Sequence, residues 1–408
     1  MGWLVIPFLG LWLKRQTKEN PLIGPLPTER DLRLDLFRGL ALWLIFLDHI
    51  PSNLVSWATI RNYGFSDATE IFVFISGYTA AFVYGRAMQI TGFIVATARV
   101  LKRAWQIYVA HVFLFAIYLA EISYVSKSFD NPLYSEEMGV LNFLNNPDVT
   151  IIQALLLKFK PVNMDVLPLY IVLLLWFAPF LWLLLRSPTL GLLVSVAIYT
   201  TAWMFGLNFP AYPSGEWAFN PLAWQLLFVF GAWCALGGAK SLARWTHSKV
   251  GIALAFAYLA FAFGIAMTWY FPPLGAYVPA FLGEAIYPID KANLDVLRML
   301  HFLSLAVITV WLVPQNWPAL KSPAFWPAIV CGRHSLEIFC LGVFLSFAGH
   351  FVFTEVSNRV FMHVIVSAAG IAIMVGAAAL ISWYRRVERQ GPGPRPPAIK
   401  PGYAESEA

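Results

Sequence analysis

The chain has 408 residues, of which 59% are hydrophobic and only 12% are charged. A soluble domain would be roughly half apolar with about a quarter of its residues charged, so this composition excludes a soluble globular protein and predicts a polytopic membrane protein. The formal net charge of +6 does not by itself indicate a nucleic-acid partner, because basic residues of membrane proteins gather on one side of the bilayer. The three cysteines have no spacing typical of a metal site or a disulfide framework.

Residues 1–34 precede the first expected membrane span. The first thirteen residues are apolar but too short to cross a bilayer comfortably, and Lys14 and Arg15 follow them. A cleaved signal peptide has its basic residues first and a small-residue cleavage site afterwards. We therefore expect an interfacial or re-entrant anchor, followed by a proline-rich linker.

Ten apolar stretches follow, each long enough to cross a hydrocarbon core of about 30 Å as a helix. Their predicted limits are 36–57, 67–85, 104–126, 166–185, 189–207, 221–239, 250–271, 295–313, 326–350 and 360–383. The expected fold is therefore all-α, with residues 35–384 forming a membrane domain of about ten transmembrane helices. A short surface helix is expected at 149–160, and residues 385–408 are expected to form a disordered tail.

The distribution of Lys and Arg sets the expected orientation. When the N-terminus is placed in the cytoplasm, most basic residues outside the spans fall on the cytoplasmic side, as the positive-inside rule requires. With ten spans, both termini are then cytoplasmic.

The stretch DLFRGLALWLIFLDHIP, residues 35–51, concentrates ionisable residues in an apolar helix. Helical periodicity places five of its residues on one stripe: Asp35, Arg38, Leu42, Ile45 and His49. Arg38 and His49 are about 16 Å apart along such a helix, so Arg38 lies near the cytoplasmic face and His49 toward the outside. Ionisable groups within a membrane usually face the bundle interior for a functional reason.

Several motifs resemble a known family. Arg38 and His49 have the R-x10-H spacing of the acyltransferase-three superfamily, and the next span carries a similar aromatic-rich segment, Phe72 to Tyr78. Four further stretches are similar to the OpgC family: NMDVLPLYIVLLL at 163–175, FNPLAWQLLFVFGA at 219–232, NLDVLRMLHFLSLA at 293–306 and GRHSLEIFCLG at 332–342. The superfamily's second basic signature, R-x-x-R, is incomplete here, because Gln106 follows Arg103 where a second arginine is expected.

The resemblance implies an enzyme of the bacterial inner (cytoplasmic) membrane that succinylates osmoregulated periplasmic glucans. The donor would be an acyl-CoA, most consistent with succinyl-CoA, and the acceptor a glucan hydroxyl outside the membrane. It implies ten spans as well, and no metal. The partners expected from this are the donor, the glucan and the lipid bilayer, with no nucleic acid.

The expected catalytic residues are His49, Arg38 and Asp48. A histidine can take a proton near neutral pH, which attack of a hydroxyl on a thioester needs; the alternative is a histidine that only packs between helices. Asp48 points about 100° away from its neighbour, so it would orient His49 through water or another helix, or pair with a base elsewhere. Arg38 would hold the acyl carboxylate, a pantetheine carbonyl or a phosphate, or else snorkel to lipid phosphates.

Basic residues on the cytoplasmic side are candidates for binding the phosphates of coenzyme A. They are Arg99, Lys102 and Arg103 at the start of the third span and Arg333 near the inner end of the ninth. Arginine suits phosphate through its fork of donors, although the positive-inside rule would also supply these residues.

Five residues are candidates for binding substrate: Glu70, Ser76, Arg298, His301 and Trp224. Ser76 with Gly77 forms a small patch where helices or a pantetheine arm approach closely. Arg298 and His301 share a helix face in the outer half of the eighth span and are candidates for lining the acceptor pocket. Asp67 and Glu70 open the second span on the outer side, and either could meet His49 across the bundle, with Glu70 the better candidate because it lies deeper. The Trp224 ring is a candidate platform for a sugar, although tryptophans are also common at membrane interfaces.

Two other functions fit the same features. An enzyme of the same class would transfer acetyl groups to another exported glycan, since acetyl and succinyl donors differ by one carboxylate. A transporter of a glycan or small molecule would also have many spans and buried charges, but it would often show inverted repeats, and the hydropathy pattern has none.

Overall fold

The computed structural model describes residues 31–390, which are helical with no strand. The N-terminal anchor, the linker up to residue 30 and the tail beyond residue 390 lie outside the described residues. The principal helices are α1 (Leu32–His49), α2 (Ala68–Thr91), α3 (Phe93–Ser128), α4 (Pro147–Leu155), α5 (Val166–Arg186), α6 (Pro188–Phe205), α7 (Pro221–Trp233), α8 (Ala239–Thr246), α9 (Lys249–Tyr270), α10 (Val296–Leu312), α11 (Trp326–Arg333), α12 (Ser335–Phe351) and α13 (Val360–Gln390). Short helices at Leu133–Glu137, Leu141–Asn145 and Ala280–Ile286 lie in the connections.

The all-α membrane class is confirmed. Within residues 31–390, eight helical segments are long and apolar enough to cross a membrane: Ala68–Thr91, Phe93–Ser128, Val166–Arg186, Pro188–Phe205, Pro221–Thr246, Lys249–Tyr270, Ser335–Val356 and Val360–Arg389. The first and eighth predicted spans correspond to α1 and α10, which are not among these eight segments. α1 has 18 residues but contains several charged ones, and α10 has only 17 residues. A total of ten spans and cytoplasmic termini stay predictions.

The first span is shorter than the sequence predicts. The expected limits were 36–57, but α1 ends at His49. Pro51 disfavours a helical conformation at the residue before it, so the chain leaves the helix there. A separate 3-10 turn, Leu54–Ala58, follows and is capped by the Asn53 side chain. His49 is therefore the last residue of its helix, next to the connection that leads to α2.

The third predicted span, 104–126, begins too late. In the structure α3 runs over 36 residues from Phe93, directly after Gly92, whose φ of 82° separates it from α2. At about 1.5 Å per residue this helix is longer than a hydrocarbon core of about 30 Å. The basic cluster around Arg103 therefore lies on an extension of the helix and not in the loop before it.

The ninth predicted span, 326–350, is broken into two helices. α11 ends at Arg333 and α12 begins at Ser335, with His334 in a non-helical conformation between them. The imidazole Nε2 of His334 lies 2.6 Å from the hydroxyl of Ser382, which fixes the break against α13. Only the part from Ser335 onward is long enough to span a membrane.

Glycines set the closest helix crossings. A Cβ at Gly39 would lie 1.8 Å from the carbonyl oxygen of Ala328, and one at Gly332 would lie 1.9 Å from that of Asp35, so α1 and α11 touch backbone to backbone. A Cβ at Gly77 would likewise lie 1.9 Å from the Phe228 carbonyl oxygen, where α2 crosses α7. Small residues permit such approaches in membranes, where dispersion contacts replace the hydrophobic effect.

α1 lies inside the bundle. It packs against α2, α11 and α12, and most of its buried apolar side chains belong to the main buried cluster of the described chain. Leu42 and Ile45 of the predicted stripe are buried, and so are Asp35 and Arg38. The polar residues of α1 therefore face other helices, as the sequence predicts for Asp35 and Arg38.

Candidate functional site

A cavity of about 130 Å³ opens beside the first half of α1, and we call it the inner cavity. It lies between α1, α2, α3, α5 and α12. Its polar lining consists of Arg38, Ser76, Thr79, Tyr84, Arg103, Tyr170 and Ser335. Three residues expected at the site from sequence, Arg38, Ser76 and Arg103, are thus brought together although they lie on three different helices.

Arg38 is held in the inner cavity by α2. Its Nη2 donates to the carbonyl oxygen of Ile75 at 3.1 Å and to the hydroxyl of Thr79 at 2.7 Å. The residue is 8% exposed. A buried guanidinium oriented by fixed acceptors is pre-organised to meet an anionic or carbonyl group that enters the cavity.

The basic residues predicted to bind coenzyme A occupy different environments in the structure. Arg103 lines the inner cavity and donates to Gln106 at 3.4 Å, so the glutamine that replaces the expected arginine contacts the neighbouring cation. Arg99 and Lys102 are exposed on α3. Arg333 is partly exposed, with its Nε 3.7 Å from Oδ2 of Asp35 at the start of α1.

His49 occupies the other end of α1. Its carbonyl oxygen accepts from the Asn163 side chain at 3.1 Å, whereas the described residues give its imidazole ring no hydrogen bond. The side chain is partly exposed. The charges of Lys291, Asp67 and Arg61 act on it. Such an imidazole can accept a proton from a hydroxyl group that binds next to it.

Asp48 does not orient the imidazole directly. Its Oδ1 accepts a hydrogen bond of 2.7 Å from the hydroxyl of Thr59, in the loop that follows α1. The backbone N–H of Thr59 donates to the carbonyl oxygen of Ser56 at 2.9 Å. Asp48 therefore ties this loop to the end of α1.

Four ionisable side chains form a largely buried group near His49, which we call the ionic cluster: Asp67, Glu70, Lys291 and Arg298. Lys291 Nζ lies 2.6 Å from Asp67 Oδ2, and Arg298 Nη2 lies 3.2 Å from the same oxygen. Arg298 Nη2 is also 2.6 Å from Glu70 Oε1. Each carboxyl group thus lies against at least one cationic side chain, and a buried charge needs such a partner.

Asp67 and Glu70 also build the start of α2. Asp67 accepts from the backbone N–H of Thr69, while Glu70 accepts from the backbone N–H of Asp67, a reciprocal capping box. Burial by itself would raise the pKa of Asp67, but the charges of Lys291 and Arg298 outweigh it and hold that pKa well below its usual range. The D-x-x-E pattern before an apolar run, here Asp67 to Glu70, is the sequence signature of this cap.

Two more of the residues predicted to bind substrate, His301 and Trp224, make contacts within the protein. His301 Nδ1 lies 2.7 Å from the hydroxyl of Ser66, and a Cβ at Gly64 would lie 1.9 Å from its Nε2. Trp224 is completely buried, and its indole N–H donates to the carbonyl oxygens of Lys291 and Ala292. The placement of Trp224 does not fit the expected sugar platform, because no face of its ring is exposed. Its side chain instead donates to the loop that contains Lys291 and Ala292.

An open pocket of about 570 Å³, which we call the outer pocket, borders the ionic cluster. It is lined by Ala218, Phe219 and residues 288–292. Lys291 is both a wall of this pocket and a member of the ionic cluster. Sequence reasoning missed it, because a single lysine in an outer loop carries no pattern.

A second charged pair lies outside the membrane-spanning segments, before α5. Burial lowers the pKa of Lys160 to about 8 and raises that of Asp165 to about 6, each partly opposed by the other's charge. Lys160 Nζ also lies 4.0 Å from the centre of the Trp217 ring. Lys291 acts on Asp165 as well, so this pair belongs to the same electrostatic region as the ionic cluster.

The arrangement offers two polar regions on one buried helix. The inner cavity, with Arg38, suits an anionic group or a carbonyl, and the end of α1, with His49, offers a base. About 16 Å of helix separates the two residues. Among residues 31–390, no group of three or more His, Cys, Asp or Glu side chains could hold a metal ion.

Comparison with known families finds one match. The model of a family described as OpgC protein matches residues 30–386, which is most of the chain. No curated protein and no solved structure matches it.

Proposed function

This chain belongs to the OpgC family, which implies an acyltransferase-type enzyme, and we propose that it succinylates osmoregulated periplasmic glucans. Succinyl-CoA is the donor on the cytoplasmic side, and a glucan hydroxyl is the acceptor on the periplasmic side. The enzyme lies in the bacterial inner membrane. The observation that supports this proposal is that one helix, α1, bears Arg38 in the inner cavity and ends at His49, which is within electrostatic reach of Lys291 on the wall of the outer pocket.

The donor enters the inner cavity. Its phosphates are bound at the rim by Arg103, with Arg99, Lys102 and Arg333 nearby, because guanidinium groups give phosphate paired hydrogen bonds. The pantetheine arm passes Ser76, where a small side chain leaves room. Arg38 holds a carbonyl or anionic group of the donor, since Thr79 and Ile75 already orient its guanidinium.

The acceptor reaches His49 from outside. The imidazole removes the proton of a glucan hydroxyl while the oxygen attacks the thioester carbonyl carbon. The carbon–sulfur bond then breaks, and the coenzyme A thiolate leaves and takes up a proton. In a second route His49 attacks the thioester itself and carries the acyl group to the glucan. An acyl-enzyme trapped in the absence of glucan and located at His49 by mass spectrometry distinguishes the second route from the first.

The test is mass spectrometry of periplasmic glucans from a strain lacking this gene, complemented with wild type or with His49→Ala. Succinyl mass increments restored by wild type and absent with His49→Ala support the function and the site. His247→Ala is a matched control, because His247 is exposed at the end of α8 and lines neither the inner cavity nor the outer pocket. Both variant proteins must be present in the membrane at wild-type level.

Other outcomes assign the other functions. Acetyl increments in place of succinyl increments make the protein an acetyltransferase of the same class. A change in the amount of exported glucan without any change in mass makes it a transporter. Restoration of succinylation by His49→Ala removes His49 from the mechanism.

A further inference from the structure

The loop of residues 290–294 is held unusually firmly for an outer connection. Three side chains donate to its backbone: Trp224 to Lys291 and Ala292, Trp203 to Asn293 at 2.8 Å, and Tyr199 to Leu294 at 2.9 Å. The buried Asn220 adds a backbone and a side-chain hydrogen bond, to Ala292 and Asn293. Because these donors lie on α6, on α7 and at the N-cap of α7, the helical bundle sets the position of the loop.

The residue that this loop presents is Lys291. Its side chain is 43% exposed, and its ammonium forms one ion pair at 2.6 Å, with Asp67. An ammonium has three donors. Among the described residues the other close contact is the ring of Phe219, whose centre is 5.2 Å away. The ammonium thus has donors left for a ligand in the outer pocket, on whose wall it lies.

The charge of Lys291 also acts on ionisable groups at the end of α1 and before α5. Lys291 acts electrostatically on Asp48 and His49 of α1 and on Asp165 before α5. In the ionic cluster Lys291 is the most exposed member, whereas Glu70 is fully buried. An anion that arrives near His49 therefore meets Lys291 before any other member of the cluster.

We propose that Lys291 determines donor specificity by binding the free carboxylate of a dicarboxylic acyl group while its other carbonyl reacts at His49. This inference rests on the proposed function. An acyl chain that leads with its carboxylate passes His49 and extends into the outer pocket. A monocarboxylic acyl group, such as acetyl, has no group to reach Lys291. The pre-positioned ammonium thus favours a succinyl donor over an acetyl donor through a charge-assisted hydrogen bond.

The test uses purified full-length protein with two donors of nearly equal size. One is succinyl-CoA, and the other is the same thioester with its distal carboxylate capped as a methyl ester. A neutral glucan is the acceptor, and acyl transfer is followed by mass spectrometry. The enzymes compared are wild type, Lys291→Met and Lys291→Arg. Lys127→Met is the control, since Lys127 is an exposed lysine at the end of α3.

We expect Lys291→Met to lower kcat/KM for succinyl-CoA by about 10- to 100-fold, the size of one lost hydrogen bond between charged groups. The same variant should leave the methyl ester donor nearly unaffected, and Lys291→Arg should restore much of the preference for succinyl-CoA. An equal loss with both donors assigns Lys291 a structural role and overturns the inference. The inference is also overturned if Lys291→Met has the same kcat/KM as wild type for both donors.

Two results separate a failure of the proposed function from a failure of the role of Lys291. If wild type transfers no acyl group from either donor, the proposed function fails. If wild type transfers succinyl but Lys291→Met does so with the same donor ratio, only the role of Lys291 fails.

Discussion

Arg298 and Glu70 are 228 residues apart in the chain and form a buried ion pair between two helices. Nη2 of the arginine lies 2.6 Å from Oε1 of the glutamate. Glu70 is completely buried, and Arg298 also reaches Asp67. The pair joins the start of α2 to the first turn of α10. Neither side chain extends into the inner cavity or the outer pocket. Its first role is therefore to hold the outer half of the bundle together.

Removing one partner of this pair should be costly. Arg298→Met leaves Glu70 buried without its cation, and breaking a buried pair in this way costs about 3–5 kcal/mol of stability. We expect a clear fall in the thermal unfolding temperature in detergent. Arg385→Met is the comparison, because Arg385 pairs with Glu337 at the surface, where such pairs contribute about 0–1 kcal/mol. Equal effects of the two variants would contradict this account.

The charge of Asp67 should stabilise the fold in a pH-dependent way. Folding holds its pKa well below the ordinary value of 3.8, so its contribution is complete above that value and is lost progressively as the pH falls below it. Asp67→Asn keeps a good helix cap and removes only the charge. We expect a loss of about 2 kcal/mol at pH 7, from charge-assisted contacts. The gap in unfolding temperature should narrow below about pH 4, and a gap independent of pH would refute this explanation.

The close crossing of α1 and α11 makes Gly39 sensitive to any side chain. Gly39→Ala places a methyl group 1.8 Å from the Ala328 carbonyl oxygen, so the helices must separate. Overpacking of this kind costs typically about 1–3 kcal/mol. Gly264→Ala is the matched control, because nothing lies within 4 Å of its added Cβ. We expect a lower thermal unfolding temperature for Gly39→Ala and an unchanged one for Gly264→Ala.

The inner cavity predicts a difference between two arginines on one helix. Arg103 lines the cavity, whereas Arg99 is exposed one turn earlier. If the cavity binds the donor as proposed, Arg103→Met should raise KM for acyl-CoA by about tenfold, the effect of one lost charged contact. Arg99→Met should change KM by much less. Equal effects would mean that the two arginines act only through the general positive charge of this face.

Local patterns predict a good part of this protein because they report on single helices. Hydropathy identified the apolar segments, since each span must satisfy its backbone within one helix and bury apolar side chains in lipid. Periodicity likewise placed Asp35 and Arg38 on the buried face of α1. The errors fall where local geometry interrupts hydropathy, as at Pro51, which ends α1 early, and at His334, which divides the ninth span.

The candidate site shows the limit of the same reasoning. The R-x10-H spacing in one helix selected Arg38 and His49, which the structure places at two separate polar regions. Trp224 was expected to meet a sugar and is instead buried beneath the loop of residues 290–294. Nothing in its sequence context distinguishes an exposed indole from a buried one.

The sequence by itself determined that this is a helical membrane protein with a charged first helix, because composition and periodicity act along the chain. The tertiary structure alone decided which charges meet. Lys291 and Asp67 lie 224 residues apart and form a contact of 2.6 Å, and both come within electrostatic reach of His49. The physical reason is that the energy of a buried charge depends on its partner in space, and no local pattern specifies that partner.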